Sequence, residues 1–154
     1  MLLSPEMEGK DMLEKPSLIL RVGIGKAVGF IVGLFAFLLL PIYGEVDFMF
    51  RLGFLFWLVI MGAMIGLFGV MTDYPLIKMP LPWWWRGSMI GGVMMLAFWL
   101  VTYERLNVIA INIFGEMSIF ASGAWIIVDG ILIGLLIAFV ATKFGGEGKE
   151  TVGR

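Results

Sequence analysis

Residues 57–67 read WLVIMGAMIGL and residues 125–135 read WIIVDGILIGL, so Trp57, Gly62, Ile65, Gly66 and Leu67 recur as Trp125, Gly130, Ile133, Gly134 and Leu135. The other positions exchange one apolar residue for another, with a single exception: Met61 in the first stretch is Asp129 in the second. Apart from that aspartate both stretches are apolar throughout, with glycines four apart, and neither alternates as a barrel strand must. Each reads as the middle of a membrane-spanning helix, because a helix satisfies its own backbone polar groups in hydrocarbon.

The rest of the chain agrees with that reading. Of its 154 residues, 60% are hydrophobic, well above the ~45–50% of soluble domains. Four stretches are long enough to cross a hydrocarbon core of ~30 Å at ~1.5 Å per helical residue: residues 23–43, 52–71, 83–101 and 120–141. Four segments are too few to close a transmembrane barrel. The expected fold is therefore an all-α integral membrane protein. One four-helix bundle over residues 23–141 is flanked by a segment 1–22 and a tail 142–154.

The two stretches lie 68 residues apart in the second and fourth spans, which run in the same direction. This predicts two tandem hairpins in a parallel repeat, related by an axis along the membrane normal. The first and third spans correspond less closely, sharing an initial Arg, glycines and an Ala-Phe pair (Ala36 and Phe37, Ala97 and Phe98) at slipped spacing.

Gly25, Gly29 and Gly33 strip one face of the first span; Gly62, Gly66 and Gly69 do so in the second, and Gly123, Gly130 and Gly134 in the fourth. A weaker set, Gly87 and Gly91, lies in the third. Small faces let helix backbones approach closely. They are expected to pack the bundle internally, with a second copy or another membrane protein as the alternative partner.

Charge sets the orientation. With loops assigned to alternating sides, Lys10, Lys15, Arg21, Lys26, Lys78, Arg86, Lys143, Lys149 and Arg154 fall on one side, and only Arg51 and Arg105 on the other. The positive-inside rule then puts both termini in the cytoplasm, and the expected location is a cytoplasmic membrane of the prokaryotic type. The first span is longer than a signal-peptide core and is expected to remain as an anchor.

Three segments outside the spans carry their own expectations. Ser4 and Pro5 fit the start of a surface helix ending at Pro16, with disorder as the alternative. Pro75, Pro80 and Pro82 lead into Trp83, Trp84, Trp85 and Arg86, which read as an anchor at the headgroup level, or as an aromatic shelf for a headgroup or sugar. Tyr103 to Ile119 mixes Asn107, Asn112 and Glu116 with apolar residues and is expected to lie in the interface or dip into it, as a gate or docking surface. Asp47 with Arg51, and Glu104 with Arg105, read as solvated pairs.

The absence of cysteine and histidine from the sequence removes the usual ligands of structural zinc, iron–sulfur clusters, haem and copper. Met64, Met71, Met89, Met94 and Met95 fit gap-filling in apolar helices. No metal, cofactor or nucleic-acid partner is expected. Nor is a catalytic residue: a serine nucleophile would lack its histidine, an intramembrane aspartyl protease needs a second aspartate, and RVGIGKAVG at 21–29 sits within a helix rather than a strand-to-helix turn.

Asp129 is the remaining candidate. Nine residues from one end of its expected span and twelve from the other, it reads as a near-midplane carboxylate, costing roughly 2.5–3.5 kcal/mol on insertion scales if charged. Ser122 is expected on nearly the same face, and Lys26 lies too far in depth for a direct pair. Three roles compete: a structural hydrogen bond to backbone or to Ser88 or Thr102, an ion- or proton-handling site, and a contact to a charged residue of another subunit. The leading expectation is a non-catalytic membrane subunit that packs against itself or other membrane proteins. The alternative is a small oligomeric proton-coupled transporter or channel acting on a solute or cation through Asp129.

Overall fold

The computed structural model describes residues 17–70 and 81–146. The surface helix expected before Pro16, the loop prolines Pro75 and Pro80, Met71 and the end of the tail lie outside the described residues. Within them the order is α1 (Leu18–Leu39), a 3-10 turn (Leu40–Tyr43), α2 (Phe48–Phe68), α3 (Trp83–Val101), α4 (Tyr103–Phe114), a second 3-10 turn (Gly123–Trp125) and α5 (Ile126–Gly145), with no strand. Four of these units, Leu18–Tyr43, Phe48–Phe68, Trp83–Val101 and Gly123–Gly145, are long and apolar enough to span a bilayer. In each, only 17–33% of the apolar window is buried within the chain. Phe35, Leu38, Ile60, Val93, Leu100 and Leu132 all point outward, as expected of helices whose solvent is lipid. The chain is an integral membrane protein.

Local chemistry sets the boundaries. Ser17 caps α1, its Oγ accepting from the Leu20 N–H at 3.1 Å, so the helix starts at Leu18 rather than at Gly23. Pro41 tightens the end of the first span into a 3-10 turn. Thr102 breaks the chain between α3 and α4, at φ −115° and ψ 23°, while its Oγ1 donates to the Phe98 carbonyl at 2.7 Å. Gly115, at φ 79°, ends α4 in a conformation that side chains disfavour. The fourth span then begins with the Gly123–Trp125 turn rather than at Phe120 and runs on to Gly145.

The helices associate as two antiparallel pairs, α1 with α2 and α3 with α5, joined mainly where α1 meets α5. Backbone meets backbone in both. A Cβ placed on Gly25 would lie 2.1 Å from the Gly62 carbonyl oxygen, and one on Gly62 would lie 2.0 Å from that of Gly25. In the other pair, a Cβ on Gly91 would lie 2.1 Å from the Gly130 oxygen, and one on Gly134 would lie 2.2 Å from that of Gly87. Along α1 the approach loosens, from 2.1 Å at Gly25 to 2.3 Å at Gly29 and 3.1 Å at Gly33. Between the pairs sits a core of Leu58, Met61, Ile65, Met95, Phe98, Leu106, Ile137 and Ala138. Phe98 is ringed by Phe54 at 5.1 Å, Trp57 at 5.4 Å and Phe50 at 5.9 Å.

Two arginines hold the tight end. Arg21 is 1% exposed and Arg86 6%; Arg21 Nε donates to the Gly66 carbonyl at 3.3 Å and Arg86 Nη1 to the Gly69 carbonyl at 3.0 Å. Both therefore meet the C-terminal end of α2, where unpaired carbonyls and the helix dipole favour cations. Gly69 and Gly145 make room for the Arg21 side chain: a Cβ on either would collide with it, at 1.8 Å and 2.5 Å.

Candidate functional site

At the opposite end of the bundle, where α1 and α2 have diverged, lies an open cavity of about 480 Å³. Val32, Ala36 and Leu40 of the first span and Phe50, Phe54 and Leu58 of α2 form two walls. The Ser122–Trp125 segment, Ile126, Asp129 and Ile133 form a third. α4 closes the fourth side with Leu106, Ile109, Ala110 and Ile113, spaced as one helical face. Only Asp129 and Ser122 bring polar side chains to the lining.

The two polar residues reach the cavity by a route that helical periodicity does not describe. Ser122 precedes the helix and caps the 3-10 turn, its Oγ accepting from the Ala124 N–H at 3.3 Å. Asp129 sits in the first turn of α5, nearer the end of its span than the midplane expected from sequence, because residues 115–122 form turns instead of helix. A carboxylate is favoured there by the positive end of the helix dipole. Asp129 is exposed to the cavity and has no hydrogen bond or ion pair among the described residues. The hydroxyls expected as structural partners turn back on their own helix: Ser88 donates to the Trp85 carbonyl at 3.0 Å, and Thr102 to that of Phe98. Met61, its counterpart in the first stretch, is wholly buried in the core.

The wall opposite α2 is pinned by polar and aromatic contacts. Asn107 Oδ1 accepts from the Gly123 N–H at 2.7 Å, and Gly123 lies so close to α4 that a Cβ would stand 2.8 Å from the Leu106 carbonyl carbon. Trp125 Nε1 donates to the Ile119 carbonyl at 3.0 Å, and its ring lies 4.9 Å from that of Phe120. On the outer rim Asp47 pairs with Arg105 of α4, not with Arg51 as its spacing predicts. Arg51 instead donates to the Phe37 carbonyl at 3.4 Å and lies 4.8 Å over the Phe37 ring.

The remaining residues singled out in the sequence lie elsewhere. Gly25, Gly29, Gly33, Gly62, Gly66, Gly69, Gly123, Gly130 and Gly134 are all buried within the chain. Trp84 and Trp85 are half exposed and edge-to-face at 6.0 Å, whereas Trp83 packs on Phe139 at 5.7 Å. Arg86, read from sequence as facing phosphates, is turned into the protein. Its burial, like that of Arg21, had a signal in the sequence: Arg21 is four residues before Gly25 and so shares the glycine face of α1.

Comparison with known protein families, curated proteins and solved structures finds no match. The functional reading therefore rests on the cavity itself.

Proposed function

We propose that this is a non-catalytic membrane protein that binds a small solute in the cavity bearing Asp129, as the binding step of a transporter or carrier. One observation carries the reading: the only acid in the four spans opens into an apolar cavity and has no partner among the described residues. A buried structural carboxylate would be hydrogen-bonded. The volume falls within the ~300–1,000 Å³ typical of small-molecule sites, which are mostly apolar with few polar groups. An assembly role is less well supported, because the glycines that would carry it are used between helices of this chain.

The same reading takes the two helix pairs as copies of one unit, since Gly62 stands to Gly25 as Gly130 stands to Gly91. It keeps both termini on the cytoplasmic side, which puts the cavity in the outer half of the membrane.

Asp129→Met, which copies Met61, separates site from scaffold. The variant is expected to melt in detergent at or above the wild-type temperature while losing small molecules that co-purify with the wild type, as read by native mass spectrometry. Ile113→Trp, which intrudes from α4, is expected to lose them as well. A melting temperature lowered by several degrees in Asp129→Met, with unchanged co-purifying species, would return Asp129 to a packing role.

A further inference from the structure

The chemistry of the lining narrows what the cavity can hold; the narrowing rests on the binding role proposed above. A dehydrated inorganic cation needs a shell of oxygens, about six to eight for calcium, six for magnesium, and a ring of carbonyls for potassium. The lining offers one carboxylate and one hydroxyl, and that hydroxyl already accepts a backbone hydrogen bond. An anion would meet Asp129 unfavourably. A neutral apolar molecule would fill the space but leave the carboxylate desolvated and unpaired, which costs several kcal/mol.

We infer that the cavity is a site for a lipophilic organic monocation, in which a single charge shielded by apolar groups faces Asp129. Its apolar bulk packs against Phe50, Phe54, Phe114, Phe120 and Trp125. Five aromatic rings on the lining of the cavity that holds the one carboxylate suit such a cation twice over. They supply apolar area, and their faces attract positive charge that carries no tightly held water. Asp129 is the one acid on the lining and so the one group there that can supply a full countercharge.

Tetraphenylarsonium and tetraphenylborate test this directly, having nearly the same shape and opposite charge. Equilibrium dialysis is run on the full-length protein in neutral detergent. Tetraphenylarsonium is expected to bind saturably at one site per chain, and tetraphenylborate is not. Asp129→Asn should weaken tetraphenylarsonium about tenfold or more, the loss of one charge-assisted contact, while Asp129→Glu should stay within a few-fold of wild type. Excess sodium or potassium should not compete.

Equal affinity of Asp129→Asn and wild type for tetraphenylarsonium, or saturable tetraphenylborate binding of the same strength, overturns the assignment. So does displacement by added phosphatidylethanolamine, which would make the occupant a lipid. These failures are distinguishable from failure of the binding role itself. If Ile113→Trp abolishes binding that is indifferent to Asp129 and to charge, the cavity is a solute site with another ligand. If no probe binds and Ile113→Trp changes nothing, the cavity is not a site.

Discussion

Met61 and Asp129 occupy matching places in two similar stretches, yet one is sealed in the core and the other faces a cavity. The difference arises from what each residue meets: Met61 belongs to the core between the helix pairs, while Asp129, one residue before the Gly130 that packs on Gly91 and Met95 of α3, lines the cavity. Asp129 and Ser122, linked in the sequence by helical periodicity, both line the cavity, but the helical argument linking them fails, because Ser122 is in a turn. The glycines also divide at this level. Gly62→Ala puts a methyl 2.0 Å from the Gly25 carbonyl oxygen, whereas Gly53→Ala meets nothing within 4 Å. The first is expected to destabilise by about 1–3 kcal/mol through overpacking, and the second to be neutral or to stabilise by roughly 0.5–1 kcal/mol through helix propensity. Thermal denaturation in a single detergent checks both; a similar loss in the two variants would mean that the close approach contributes nothing specific.

Among the elements, α4 was the least legible. Leu106, Ile109, Ala110 and Ile113 give a helical stripe that was visible in the sequence, but the surrounding apolar residues blurred its ends. Ile119 and Phe120 add hydropathy to the fourth span without belonging to its helix, which shifted its expected start and pushed Asp129 toward the midplane. The tie from Asn107 to Gly123 fixes α4 over the cavity. Asn107→Ala should cost about 1 kcal/mol and raise amide exchange across residues 103–125, leaving α1 and the end of α2 unchanged. The Asp47–Arg105 pair is more than half exposed on both sides, so Arg105→Gln should cost only about 0.2–1 kcal/mol. Exchange that rises equally in all helices of Asn107→Ala would show that α4 is not a separable unit.

The bundle's architecture was largely readable: four apolar runs produced four spanning helices, because length and hydropathy decide that question almost alone. Which helices pair, and how the arginines turn inward, depended on tertiary contacts that hydropathy does not encode. Orientation remains a matter for labelling, and a chain without cysteine is a ready background. Single cysteines at Glu45 and Glu116, both exposed, should react with a membrane-impermeant maleimide only from outside intact cells, and one at Lys143 only after lysis; the reverse pattern would invert the topology. The arginine ties have a mechanical consequence. With Arg21 and Arg86 fastened to one end of α2, and with residues 40–47 and the Arg51–Phe37 bond joining α1 and α2 at the other, the first hairpin is tied at both ends, and any give in it falls between the ties, where the approach loosens toward Gly33.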